Sequence, residues 1–262
     1  MKISKLLYLL FFTLFTSICV AQKQIIILNE DNIGRTYYGF DSFNNYYYTA
    51  NNTFNKVSDT KTYHYQNISL GKISSIDIIN PLMIVLFYED FNTVVFLDNQ
   101  LNEIEKIDFS KIDSSLVITK IGLAGQNKLW VYNQVNQRLL LFDTLNKTYK
   151  EMPIPIENSI VYTQSDFNNF YWVDDLKNFY KCDFFGKIEL LSSLPSFDKI
   201  QIIDEKSLLF SKKNQLFLLN TSTKSISEIQ IVEKSFENFY YKDQFLAIFT
   251  LQQISNYKIK IH

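Results

Sequence analysis

The chain has 262 residues, with 26 basic against 27 acidic side chains and a formal charge of -1. That balance, with arginine only at Arg35 and Arg138, excludes a protein that grips nucleic acid or phosphate through basic patches and arginine forks. At 47% hydrophobic and 16% aromatic it is too apolar for a disordered linker, and its two cysteines, Cys19 and Cys182, exclude a disulfide-built scaffold.

Residues 1–21 read as a secretory signal peptide: Lys2 and Lys5 precede the apolar stretch LLYLLFFTLF, and small residues lead up to Ala21. The stretch is shorter than the roughly 20 residues a membrane span needs, so cleavage after Ala21 is expected. The rival is acylation at Cys19, against which stands Ile18, a bulky residue where lipoprotein signals carry a small one. Without Lys2 and Lys5, 24 basic side chains face 27 acidic ones, and residues 22–262 are expected to form a single domain. The wealth of Asn, Lys, Ile and Tyr resembles proteins from AT-rich bacterial genomes. The expected location is therefore a Gram-negative envelope, periplasmic or outer-membrane-associated, with secretion as the variant. Asn-x-Ser/Thr triplets at Asn51, Asn67, Asn146 and Asn220 would be glycan acceptors in a eukaryote, but an Asn-rich chain forms such triplets by chance.

After the leader, QIIIL at 24–28 is a strand with no neighbour of its own in sequence. Apolar runs then recur: YYYT from Tyr46, IVLF from Ile84, LWVY from Leu129, FYWV from Phe170, LLFS from Leu208 and LAIF from Leu246, at spacings of 38, 45, 41, 38 and 38. SFNNYYY before the first run nearly repeats as DFNNFYW before the fourth, and each Asn-Asn pair is read as a hairpin turn that needs positive φ. Each run is followed by another that ends in Asp or Asn: VVFLD at Asp98, LLLFD at Asp143, FYKCD at Asp183 and LFLLN at Asn220. Alternating strands follow, as in EIEKIDF and GKIELLS. Short strands precede the runs, such as SSIDII from Ser74, ITKIGL from Ile118 and VYTQSDF from Val161.

Four strands per ~40 residues, without a helical stretch between them, resemble the blades of β-propeller repeat proteins. The resemblance covers essentially all of 22–262 by pattern, without a WD dipeptide or Asp-box that would name a functional family. It implies an all-β fold of six blades: the middle strands, covered on both faces, read as unbroken apolar runs, and the outer strand alternates. The C-terminal segment supplies only three strands, so the strand at 24–28 is expected to complete the sixth blade and remove its exposed edge.

Most chemistry-bearing residues take a structural place in this repeat. Cys182 aligns with Leu97, Phe142 and Leu219 in a packing column, and Asp98, Asp143 and Asp183 are read as turn acceptors. His64 falls in an outer strand and His262 at the end, which leaves little material for a histidine relay or zinc site. No cofactor is implied. Asp77 and Asp166, on or near inner strands, are the candidate carboxylates for a glycan hydrolase or lyase working in the central tunnel. The expectation placed ahead of that enzyme is a non-catalytic propeller that binds or scaffolds envelope proteins, with a sugar- or peptide-binding module as the further alternative. Its contacts are assigned to loops between the second and third strands: Glu89, Asp90 and Phe91; Asp174 and Asp175; Lys212 and Lys213.

Overall fold

The computed structural model describes residues 22–27, 34–58 and 61–261. The leader with Cys19, Leu28 at the end of the first expected strand, and His262 lie outside the described residues. Each recurring apolar run is the second strand of a four-stranded antiparallel sheet, and there are six such sheets. The N-terminal strand is β1 (Gln22–Ile27). The first blade contains β2 (Thr36–Phe40), β3 (Tyr46–Ala50), β4 (Thr53–Val57) and β5 (Thr62–Tyr65). The second contains β6 (Ser75–Asp77), β7 (Ile84–Tyr88), β8 (Thr93–Leu97) and β9 (Glu103–Asp108). The third contains β10 (Ile118–Ala124), β11 (Lys128–Asn133), β12 (Arg138–Asp143) and β13 (Thr148–Glu151). The fourth contains β14 (Ile160–Ser165), β15 (Asn169–Asp174), β16 (Asn178–Asp183) and β17 (Ile188–Ser193). The fifth contains β18 (Lys199–Ile202), β19 (Ser207–Lys212), β20 (Gln215–Asn220) and β21 (Ile226–Ile229). In the sixth, β22 (Asn238–Lys242), β23 (Phe245–Phe249) and β24 (Gln253–Lys258) are followed by β1, which pairs antiparallel with β24 from Gln22↔Lys258 to Ile27↔Gln253.

The apolar core is six wedges between neighbouring blades. Val85, Phe87, Leu129 and Val131 fill the wedge between the second and third blades, while Tyr47, Phe54, Leu86 and Val95 fill the one before it. The last wedge, of Tyr37, Phe40 and Tyr48 against Ala247, Phe249 and Ile254, joins the sixth blade to the first. This ring explains the unbroken apolar runs. A second or third strand has a neighbouring blade on each face, so every residue of β7 and β8 is buried. Side chains such as Phe87, fully buried, contribute about 1.5–3 kcal/mol each. The outer strands β9 and β21 keep one wet face or two.

The Asp and Asn residues that end the third strands hold the turns that follow. Asp98 accepts from the backbone N–H of Gln100 and Asn102, Asp143 from Leu145 and Asn146, Asp183 from Phe185 and Lys187, and Asn220 from Ser222 and Thr223. Cys182, Leu97, Phe142 and Leu219 are all buried, as a shared packing column requires. Burial pushes the Cys182 thiol up to about 12, so it packs as a small apolar group.

The two Asn-Asn hairpins differ from the expectation in one respect. In the first, Asp41 N–H donates to the Asn45 carbonyl at 3.0 Å, and Asn44 takes φ 60. The second is one residue shorter, with Asp166 N–H donating to the Asn169 carbonyl at 3.0 Å, and neither Asn168 nor Asn169 enters the left-handed region. The extra residue of the longer loop is what calls for a left-handed position. Both hairpins keep the same brace from the following strand: Tyr47 donates to Asp41 at 2.8 Å and Tyr171 to Asp166 at 3.0 Å.

Candidate functional site

The first strands β2, β6, β10, β14, β18 and β22 surround a central channel, where a cavity of about 490 Å3 is lined by residues including Tyr38, Asp77, Tyr162, Gln164, Lys199 and Tyr240. Each first strand turns an unpaired backbone edge toward the axis, so its N–H and C=O groups need other partners. The strand registers identify one equivalent position in every blade, and in three blades, at Asp77, Gln164 and Gln201, its side chain serves this need. Gly39, Asp77, Gly122, Gln164, Gln201 and Tyr240 pair with Tyr47, Val85, Trp130, Tyr171, Leu209 and Ala247, which are equivalent residues of the six second strands. These six positions form a belt around the channel.

Side chains of the belt, and of Ser165 and Asn238 beside it on the first strands, reach from blade to blade. Gln164 donates to the Ile202 carbonyl at 2.5 Å and accepts from Ile202 N–H at 3.1 Å. Gln201 repeats this on Tyr241, donating at 2.8 Å and accepting at 2.7 Å. Asp77 accepts from Leu123 N–H at 2.8 Å, and Ser165 Oγ donates to the Leu123 carbonyl at 2.9 Å. Asn238 donates to the Tyr37 carbonyl at 2.9 Å and so links the sixth blade to the first. The glycines of the belt are needed for close approach: a Cβ on Gly39 would lie 2.7 Å from the Tyr240 ring, and one on Gly122 would lie 2.5 Å from Ser165 Oγ.

Burial raises the Asp77 carboxyl above its ordinary value, against the hydrogen bonds from Leu123 N–H, Ile79 N–H and Ser165 Oγ. Burial also raises the phenols of Tyr240 and Tyr162; the charge of Asp77 adds to the first, and Tyr240 adds to the second. Asp166 is engaged elsewhere, accepting from Asn168 N–H, Asn169 N–H and the Tyr171 hydroxyl in its own hairpin. The two expected tunnel carboxylates therefore separate: Asp77 lines the channel, as does Asp198, and Asp166 is not among the lining residues. His64 lies in β5, an outer strand, away from the axis.

The loops between second and third strands lie on one face of the ring. Glu89, Asp90 and Phe91 form a single tight turn, with Glu89 N–H donating to Ser74 Oγ at 3.0 Å. Phe91 is 50% exposed, and its ring edge rests near Gly71, where an added Cβ would lie 3.4 Å away. Asp175 is exposed, and so are Lys212, which donates to Ser196 Oγ at 2.6 Å, and Lys213, whose N–H donates to Asp198 at 2.7 Å. Asp174 corrects the expectation of an exposed contact residue. It is fully buried, accepting from Asn178 N–H at 2.7 Å and from the side chains of Asn158 and Asn178, because it closes the turn from within. Sequence reasoning missed two further exposed apolar loop residues: Val135, 66% exposed, and Leu176, 67% exposed. They occupy the equivalent loops of the third and fourth blades. Together the three residues make an arc of apolar loop tips on consecutive blades.

Neither a protein-family model nor a curated protein matches this sequence. Solved structures do. The chain is similar to virginiamycin B lyase from Staphylococcus aureus at 13% identity, over 92% of this chain and 100% of that one, with a TM-score of 0.59. Another structure of that lyase, with quinupristin, holds a catalytically inactive variant in which a histidine is replaced by alanine. The chain is also similar to luciferin-regenerating enzyme, at 12% identity over 90% and 95% of the two chains and a TM-score of 0.53. A third likeness is to BBS1N in complex with ARL6DN, at 11% identity over 86% and 77% and a TM-score of 0.56. Enzymes and a complex-forming protein thus share this architecture, and at such identities the likeness establishes the fold: the chain is a six-bladed β-propeller.

Proposed function

We propose that the protein is an exported, non-catalytic propeller that binds a protein partner of the bacterial cell envelope, periplasmic or outer-membrane-associated, through the face carrying Phe91, Val135 and Leu176. The observation that carries this reading is the apolar arc on three consecutive blades, accompanied by exposed Glu89, Asp90 and Asp175. Exposed apolar side chains among polar ones on rigidly held loops are characteristic of binding surfaces. The partner suited to it offers an apolar patch rimmed by basic groups. Support also comes from the channel, where the belt amides are engaged in joining blades, and from His64, which sits on an outer strand. In the lyase, by contrast, loss of one histidine accompanies loss of catalysis.

The test is recovery of the tagged protein from its native envelope, with identification of what accompanies it. Phe91→Ala, Leu176→Ala and Asp175→Lys together are expected to abolish partner recovery at an unchanged melting temperature. Asp174 is left intact because it holds its turn. Full recovery by the triple variant removes the case for this face. Mass spectrometry of the recovered chain is expected to find it beginning at Gln22; an intact Met1 or an acylated Cys19 contradicts the proposed processing.

A further inference from the structure

The channel belt has one charged member. Gln164 and Gln201, at the position equivalent to Asp77, each donate and accept across to the next blade. Asp77 can only accept, on one oxygen from Leu123 N–H at 2.8 Å and Ser165 Oγ at 3.4 Å and on the other from Ile79 N–H at 2.9 Å, and the carbonyl of Leu123 takes its hydrogen bond from Ser165 instead. The bond to the next blade needs one acceptor oxygen, which an amide would supply without a charge; the second oxygen serves Ile79 N–H in its own blade. The carboxylate is therefore not dictated by the joining of blades, and keeping it in a confined space carries a desolvation cost.

Nothing in the wall neutralises it. Among the described residues no lysine or arginine pairs with Asp77. Lys199, the basic residue lining the cavity, lies two positions before the belt in β18 and directly follows Asp198. The remainder of the wall is rich in phenol rings, from Tyr38, Tyr162 and Tyr240. Asp77, Tyr162 and Tyr240 come from the second, fourth and sixth blades, and so stand around the axis on alternate blades. Ser75, on the same strand as Asp77, has its Oγ buried without a hydrogen-bond partner.

We propose that the channel binds a small organic cation bearing a primary ammonium group, with the charged nitrogen against the Asp77 carboxylate and the methylenes against the rings of Tyr38, Tyr162 and Tyr240. A cation is attracted both to a carboxylate that has hydrogen-bond donors but no ion-pair partner and to aromatic faces, and both attractions strengthen where water is displaced. The cavity volume of about 490 Å3 lies within the range of small-molecule sites. A neutral polyol fits less well, because Gln164, Gln201, Asn238 and Ser165 already bond to neighbouring strands.

The experiment is calorimetric titration of the purified protein with cadaverine, with the diol of the same chain length, and with the matching dicarboxylate. Cadaverine is expected to bind saturably and the other two not at all, and Asp77→Asn is expected to weaken cadaverine by about tenfold or more. In the wild type, cadaverine is expected to shift the Leu123 amide resonance, since that N–H donates to Asp77. Absence of saturable cadaverine binding, equal binding of the diol, or unchanged affinity in Asp77→Asn overturns the proposal. Should Asp77→Asn not fold, the three-ligand comparison and the Leu123 resonance in the wild type decide, and a resonance that does not move overturns it.

Discussion

Gln201 and Tyr241 are joined by two hydrogen bonds of 2.8 and 2.7 Å, with one side-chain amide satisfying both backbone groups of a strand in the next blade. Gln164 does the same for Ile202. The free inner edges of β18 and β22 are thus paired by side chains where a sheet would use another strand.

Replacing either glutamine by leucine leaves an N–H and a C=O unpaired at the channel edge. Gln201→Leu and Gln164→Leu are each expected to cost about 1–3 kcal/mol. The two should couple in a double-mutant cycle, because Gln201 is adjacent in β18 to Ile202, the partner of Gln164. Urea denaturation with an unchanged m-value checks this, and wild-type stability in either variant contradicts it.

Gly122→Ala puts a methyl group 2.5 Å from Ser165 Oγ and 2.7 Å from its Cβ, so the third and fourth blades must separate at the axis. Overpacking of this kind costs about 1–3 kcal/mol. Ser165→Gly removes both clashing atoms, and with them the hydrogen bond to the Leu123 carbonyl. The double variant is expected to be more stable than the two separate losses would give, a coupling that a double-mutant cycle of denaturation free energies measures.

Acid should destabilise the protein. Hydrogen bonding from Asn146 N–H, followed by Lys128, holds Asp143 down at about 2, and Lys187 with Lys181 holds Glu189 at about 2. At Asp41, burial would raise the carboxyl, but hydrogen bonds from Asn45, Tyr47 and Phe43 N–H bring it below its usual value. A depressed folded-state pKa gives stability that is complete above the ordinary values of 3.8 and 4.5 and disappears as pH falls toward 2. Asp77, with its raised carboxyl, has the opposite sign: its contribution is present below the ordinary value of 3.8 and is lost as pH rises through its folded-state pKa. The depressed groups are more numerous, so the melting temperature is expected to fall steadily between about pH 5 and pH 2 at constant ionic strength. A flat profile there contradicts the assignment.

Deleting residues 22–27 removes the strand registered along β24 at six pairs and leaves that edge of the sixth blade open. An uncovered strand edge favours association with other chains. The truncated protein is expected to melt several degrees lower and to elute as larger species in size-exclusion chromatography. A monomer of unchanged melting temperature shows that β1 is dispensable.

The sequence by itself determined the repeat. A second strand such as β7 has a blade on each face, so its whole length must be apolar, and that requirement is written locally every ~40 residues. Local too are the acceptors Asp98, Asp143 and Asp183, whose partners lie within four residues. Tertiary structure alone decided what closes the channel and what reaches the surface. Gln164 meets Ile202, 38 positions away, and Gln201 meets Tyr241, 40 positions away, so neither carries a signal in its own neighbourhood. Asp174 and Asp175 are adjacent, yet the first is buried among Asn158 and Asn178 and the second is exposed. Which of two neighbouring carboxylates turns inward depends on where the preceding linker passes, and the linker's path is fixed only when the blades pack into a ring.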